Sequence, residues 1–330
     1  RGMGVPQSCF AWESHLDLIA ERLGIHPLEL RRKNMFGTKG TLPNGQVVDA
    51  APAPETLERA VALFQSSPSP PLRPRKKRGV GMAAMIYPHD SCGVSGATSV
   101  FLKVDSDGSA VLYSGLSDVG QGSKTALSQL AAEILGIPMD KITFIAGDTH
   151  TTPYDEGTGA SRTTFFCGHC VKEACEKART QLFEAAGRML GVPSPEKFYI
   201  QDGVIYLKTF PECHVSVAEA AHASERIYGH PILASATFSS FSTPADPETG
   251  HALMFERHTF GTQIAEVDVD IDTGEIDVLK LAAVHSCGTV INPNLVEGQI
   301  YGGVHMGLGQ ALMEEMLERE DGSVVSNTFS

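Results

Sequence analysis

No run of about 18 apolar residues occurs anywhere in the chain, which excludes organisation around a membrane-spanning helix. Cations are short as well: 26 lysines and arginines face 39 aspartates and glutamates, a formal charge of −13. A nucleic-acid surface depends on Lys and Arg, so nucleic acid is not an expected partner. Cysteine is sparse and odd in number, seven over 330 residues, which excludes a disulfide framework and makes reduced thiols in a cytoplasm the expectation. His15, His26, His89, His150 and His285 share no motif and show no i, i+4 pairing, so no protein-held metal is expected. The chain opens on Arg1 rather than Met, and no charged stretch followed by an apolar one comes after it. The closing Asn327-Thr328-Phe329-Ser330 reads as a strand cut short, and the expectation is a fragment at both ends.

What remains is a globular composition, 42% hydrophobic and 20% charged, long enough for one large or two ordinary domains. Residues 10 to 23 predict an amphipathic helix with Phe10, Leu16, Ile19, Ala20 and Leu23 inward and Glu13, Asp17 and Glu21 outward, ended by Gly24. Pro27 opens a short helix to Asn34, and another is expected from Glu55 to Phe64. The proline-rich, basic stretch that follows, with Arg73 to Arg78 at its end, reads as a solvated linker. Beyond it, strands are expected near 79 to 87, 97 to 104, 110 to 115 and 141 to 146, with helices at 123 to 135, 164 to 190, 216 to 223 and 293 to 317. Hairpins are expected around Gln201-Asp202-Gly203 and from Gln263 to Val284. The fold class is α+β, with mixed sheets and packed helices.

The most compact signal is Asp118-Val119-Gly120-Gln121-Gly122-Ser123-Lys124-Thr125, a glycine-flanked glutamine at the mouth of a helix. Glycines let backbone approach a ligand, first-turn amides are unsatisfied donors, and Gln121 offers both a donor and an acceptor, so an anion site is expected there. Gly157-Thr158-Gly159-Ala160-Ser161-Arg162-Thr163-Thr164 is a second loop of this kind, with hydroxyls and a guanidinium suited to phosphate. Both patterns also suit ordinary turns and helix caps.

Cys167-Gly168-His169-Cys170 has the spacing of a thiol-disulfide exchange motif. The residues before it are too few and too polar for the required buried strand, and Cys170, Val171, Ala174 and Cys175 continue one helical face, so buried packing residues are expected. Zinc is disfavoured because one short helical run cannot readily wrap a tetrahedron. Asp268, Asp270 and Asp272 suggest a calcium loop, but Thr273 and Leu279 stand where its glycine and glutamate belong, leaving a strand-turn-strand. The hairpin there and the one at Val104 to Val111 repeat one another in outline. Gly298, Gly302, Gly303, Gly307 and Gly309 in the last helix imply close approach of some other group.

Taken in order, Arg1-Gly2-Met3-Gly4-Val5-Pro6-Gln7, Gly120-Gln121-Gly122, Gly159-Ala160-Ser161-Arg162-Thr163, and Asn292-Pro293 through Gly298-Gln299 to Gly307-Leu308-Gly309 resemble the molybdopterin-binding subunit or domain of the molybdenum hydroxylases, the xanthine dehydrogenase and aldehyde oxidase family. The resemblance runs the length of the chain. It implies molybdenum on a pterin, in a cytosine dinucleotide or mononucleotide form, with no side chain ligating the metal. Cofactor-binding positions by resemblance are Arg1, Gly120, Gln121, Gly122, Ser161, Arg162, Thr163 and Gln299; Met3 stands at a substrate-facing position where many members carry an aromatic, and Tyr87 lies near another such position. The family's general-base glutamate is expected beyond Ser330, and Glu314 and Glu315 do not match it. Implied partners are a small-molecule substrate, the rest of the molybdenum subunit, and subunits or domains carrying FAD and 2Fe-2S clusters. In domain terms, residues 1–66 correspond to the end of a first molybdopterin-binding domain, 67–78 to the linker and 79–330 to a second domain. The implied activity is hydroxylation of an aromatic N-heterocycle or an aldehyde. A cofactor-binding or assembly protein using the same loops without turnover is the alternative.

Overall fold

A computed structural model describes residues 2, 4–49, 52–89 and 96–325. Arg1 and Met3 lie outside the described residues. The elements in chain order are helices α1 (Val5–Leu23) and α2 (Pro27–Asn34), strands β1 (Lys39–Thr41) and β2 (Val47–Asp49), and α3 (Ala53–Ser66). There follow β3 (Lys76–Pro88), β4 (Ala97–Val104), β5 (Ala110–Ser114), α4 (Ser123–Leu135), β6 (Ile142–Ala146) and α5 (Thr163–Leu190). The chain continues through β7 (Phe198–Gln201), β8 (Val204–Leu207), β9 (Phe210–Ser216), α6 (Val217–His222), β10 (Ile232–Ser239), β11 (His258–Asp270), β12 (Ile276–Ser286) and α7 (Pro293–Leu312). This is the expected α+β mixture. Compactness divides it into two units, one of Arg1–Leu42, Val47–Tyr87 and Thr259–Ser330, the other of Pro43–Gln46 and Pro88–His258.

In the second unit the sheet order is β10-β4-β5-β6, antiparallel except for the parallel pair β5 and β6. Parallel neighbours need a crossover, and α4 supplies it. Strands β4 and β5 alternate buried residues with half-buried or exposed ones at period two, with Val100, Leu102, Val104, Ala110 and Leu112 in the core. Against them α5 presents Cys167, Cys170, Val171, Ala174, Cys175, Ala178 and Leu182, a stripe of small and apolar residues at three- and four-residue steps. Because these side chains are small, the long helix can lie close to the sheet. Gly136 stops α4 at φ +60°, and a Cβ there would meet Ile200 at 2.8 Å, so both conformation and close approach require glycine.

In the first unit β11 pairs with β12 and β3 in a three-stranded sheet, and α3 packs on β12. The inward face of α1 differs from the expected one. Ala20 is buried, but Phe10 and Leu23 are exposed, while Glu13 is buried. The reason is electrostatic: Arg31 of α2 donates to Glu13 at 2.9 Å and to Asp17 at 2.7 Å, and the Ala84 amide donates to Glu13 at 2.9 Å. A carboxylate can be buried when a guanidinium and an amide satisfy it.

The basic linker is exposed over most of its length, as expected, but several of its side chains are paired. Arg78 forks onto Asp268 at 2.8 and 2.9 Å, Lys76 donates to Asp277 at 2.5 Å, Arg75 pairs with Asp272, and the Ser69 hydroxyl donates to Glu266. The aspartates that suggested calcium are thus spent on the linker cations or, for Asp270, on the turn amides of Asp272 and Thr273. The predicted final helix ends earlier, at Leu312, and the sequence reading missed β1, β2, β9 and β10. Beside Gly298, Gly302, Gly303 and Gly307 an added Cβ would meet nothing within 4 Å, so no described residue makes the close approach inferred from them.

Candidate functional site

Strands β5 and β6 are parallel neighbours, so the chain leaves both at the same edge of the sheet. In sheets with parallel strands the carboxyl ends are where ligands gather, because the loops there are free of the ladder and lead into helix N-termini. The loop after β5, residues 115–122, opens α4, and the loop after β6, residues 147–162, opens α5. These are the two glycine-rich loops singled out in the sequence.

The structure brings them together. Thr158 donates its hydroxyl to the Ser117 carbonyl at 2.6 Å, and the Gly147 amide donates to the Ser114 carbonyl at 3.1 Å. At Gly115 a Cβ would run into the Pro153 carbonyl and stand 2.9 Å from the Asp155 backbone nitrogen, so the close approach of the loops requires a glycine there. Side chains line the rest of the contact: Ser114 and Cys167 meet at 3.4 Å, both buried.

Gln121 is half-buried and turned into its own loop. The Val119 amide donates to its Oε1 at 2.7 Å, while its Nε2 donates to the Ser117 carbonyl at 3.1 Å and to the Ser123 hydroxyl at 2.9 Å. One lone pair on Oε1 is left for a ligand. Gly120 and Gly122 have φ of +110° and +78°, conformations for which glycine is suited.

The amides expected to await an anion have a partner already. Asp118 accepts from Gly120 N–H at 3.0 Å, Gly122 N–H at 3.3 Å and Lys124 N–H at 3.1 Å. Partial burial opposes its charge, yet the amides of Lys124, Gly120 and Gly122 with the Ser123 hydroxyl outweigh this and hold the Asp118 carboxyl below the ordinary range. Sequence reasoning gave Asp118 no role. An Asp two residues before a glycine and just ahead of a helix is the signal that would have found it.

In the second loop the Arg162 amide donates to the Gly159 carbonyl at 2.9 Å and closes a tight turn whose central residues, Ala160 and Ser161, have φ of +45° and +55°. Positive φ at both central positions is the type I′ pattern, ordinarily filled by glycine, asparagine or aspartate. Non-glycine residues there cost about 1–2 kcal/mol each, a cost met only where the surroundings impose the conformation. Ser161 is exposed, and Thr163 is half-buried at the first position of α5. Arg162 departs from the expected anion-facing role: its guanidinium is buried, donating to the carbonyls of Gly96 at 3.1 Å and Gly157 at 3.2 Å, for reasons of charge taken up below.

The other positions fall in the first unit. Gln299 is exposed on α7, and Tyr87 is half-buried near the end of β3, its carbonyl accepting from the Thr259 hydroxyl at 3.4 Å.

Thiol-disulfide exchange has no support from the cysteine pair. Cys167 and Cys170 lie inside α5 in the core, and burial, opposed only weakly by neighbouring hydrogen bonds, pushes their pKa values up to about 12 and about 11. Among the described residues no three His, Cys, Asp or Glu side chains are grouped to hold a metal ion, and no helix is long and apolar enough to cross a membrane.

Two glycine-rich loops are thus fastened at the carboxyl ends of parallel strands, each leading into a helix, where ligands are commonly held in such sheets. The chain matches the molybdopterin cofactor-binding domain over residues 55–330, with a second such match over 1–35, and it belongs to that family, the molybdopterin-binding portion of the molybdenum hydroxylases. Relatives include the nicotine 6-hydroxylase large subunit of Paenarthrobacter nicotinovorans, 32% identical over 100% of this chain and 41% of that protein. A putative xanthine dehydrogenase molybdenum-binding subunit of Escherichia coli is 30% identical over 99% of this chain and 43% of its own length. Among solved structures, quinoline 2-oxidoreductase from Pseudomonas putida 86 superimposes with a TM-score of 0.80 at 26% identity, covering 97% of this chain and 42% of that one. The chain therefore spans about two-fifths of the length of these relatives.

Proposed function

We propose that the chain holds a molybdenum-bearing pterin between the loops after β5 and β6, as part of an enzyme that hydroxylates an aromatic N-heterocycle or an aldehyde. The observation that carries this is the fastening of the two loops at Ser117, because it turns two separate glycine-rich segments into one cradle. The residues suit the group. An added Cβ at Gly120, Gly157 or Gly159 would meet nothing within 4 Å, so open space stands beside both loops. The hydroxyls of Ser161 and Thr163 at the start of α5 are donors for phosphate, and the remaining Oε1 lone pair of Gln121 accepts from a pterin edge. Gly120 and Gly122 let backbone come close, and Arg1 and Gln299 are further cofactor-binding positions implied by the family resemblance.

When bound, such a group supplies a two-electron acceptor able to deliver a water-derived oxygen to carbon. The chain's own contribution is binding and orientation. The loops fix hydroxyls and one carboxamide in place, and the Asp118 carboxylate keeps the mouth of α4 in shape. Met3 and Tyr87 are proposed to face the substrate, FAD and 2Fe-2S clusters to stand on partner subunits or domains, and the base to lie outside these residues, so that the chain alone does not turn over. The same proposal keeps the division into 1–66, 67–78 and 79–330.

The substrate half is tested by assaying the complete complex with purines, quinoline- and pyridine-type heterocycles and simple aldehydes, in oxygen-labelled water, with an artificial electron acceptor. Labelled hydroxylated heterocycle or labelled carboxylate supports the proposal. A cofactor-loaded complex inert toward every one of these classes contradicts it.

A further inference from the structure

Arg162 is the one cation in the second loop, and its surroundings make it a poor phosphate ligand. The side chain is 3% exposed, with Asp155 and Glu156 oxygens each 3.7 Å from its nitrogens. Two carboxylates about one guanidinium leave no net positive field for an incoming anion. Two of its donors go to backbone: Nη2 to the Gly96 carbonyl ahead of β4, and Nη1 to the Gly157 carbonyl. The face of the guanidinium lies over the Phe166 ring, 4.2 Å from its centroid. Asp155 accepts from the Gly157 amide at 2.7 Å and forms a bridge with Thr98 of β4, so one of the two carboxylates beside the arginine is itself anchored to the sheet.

Between those anchors lies the turn with two non-glycine residues at positive φ. Something must impose that conformation, and the Arg162 amide and guanidinium bracket it, one bonded to Gly159 and the other to Gly157. We propose that Arg162 is a positioning residue: its buried guanidinium holds the Ala160–Ser161 turn in its left-handed form, which sets the direction of the Ser161 and Thr163 hydroxyls, and it does not itself contact the cofactor. The proposal rests on the molybdopterin reading for what those hydroxyls bind, but the clamp is a property of the chain alone.

The test uses the complete complex and two readouts, deuterium exchange of backbone amides and the content of molybdenum and pterin. Arg162→Lys keeps the charge but loses the planar fork, and it should speed exchange across 157–163 by about tenfold while leaving α4 unchanged. Cofactor content should fall with it. Adding Ala160→Gly should recover much of both, because glycine takes the turn conformation without needing the clamp. Unaltered exchange with lost cofactor, or a double variant no better than the single one, would overturn the proposal in favour of direct contact. Glu156→Gln is the milder second variant: a positioning arginine gains nothing from it, whereas an arginine that binds phosphate would be unmasked and would retain cofactor longer, which would also overturn the proposal. If the unmodified complex carries neither molybdenum nor pterin, the cofactor reading fails, and the exchange measurements still decide the clamp.

Discussion

Thr158 and Ser117 are 41 residues apart in sequence, yet the hydroxyl of one donates to the carbonyl of the other at 2.6 Å, and Gln121 donates to the same oxygen at 3.1 Å. A single carbonyl thus ties the loop that opens α5 to the loop that opens α4. If the loops hold the cofactor as proposed, that tie sets the shape it meets.

Thr158→Val removes the hydroxyl while keeping the shape. Ser117 keeps its bond from Gln121, so no buried acceptor is orphaned, and the expected cost is about 1 kcal/mol or less. Cofactor content should fall several-fold all the same, since the loops lose their tie at Ser117. Urea unfolding alongside molybdenum analysis checks both, and undiminished cofactor content would count against the cradle.

Gln121→Ala deletes three hydrogen bonds within one loop, from Val119 N–H and to Ser117 and Ser123. The side chain is outside the core, so stability should drop by about 1–2 kcal/mol while cofactor retention drops far more. Pterin release after dilution measures the second effect. Equal losses in the two would mean that Gln121 serves only its loop.

Asp118 makes the loop sensitive to acid. Its folded pKa is depressed, so its contribution to stability is present above the unfolded value of about 3.9 and is lost as pH falls through the lower folded value. Asp118→Asn should therefore flatten the acid limb of the stability curve from about pH 4 downward, with the neutral-pH stability of the variant already lowered. Urea midpoints across that range provide the comparison, and parallel curves would remove Asp118 from the account.

The thiols make a prediction of a different kind. Cys213 and Cys287 are exposed, whereas Cys167, Cys170 and Cys175 are buried in the core with pKa values raised by burial. Under native, mildly alkaline conditions iodoacetamide should label the first two and spare the other three. Rapid labelling of Cys167, read by peptide mass spectrometry, would revive a redox role.

Much of the fold could be read from periodicity. Strand β4 and helix α4 fall where alternation, three- and four-residue steps and the Gly136 stop place them. The elements that escaped were those held by partners far away in the chain. Strand β10 is fixed by pairing with β4, a relation with no local mark, and α1 buries Glu13 only because Arg31 and Ala84 meet it. The site divides in the same way. Glycines and Gln121 advertise the loops, and the Asp118-Val119-Gly120 spacing ahead of α4 marks the residue that fills the helix mouth, but nothing local says that Arg162 points inward or that Thr158 reaches Ser117.

The central claim is that these fastened loops hold a molybdenum pterin. Its most direct test is the metal and pterin content of the complete complex, purified from cells that load another molybdopterin enzyme in parallel. The account predicts molybdenum and pterin in equimolar ratio to this chain, with both depleted together by Gln121→Ala and by Thr158→Val. Neither molybdenum nor pterin in the complex, with the parallel enzyme fully loaded, would contradict it.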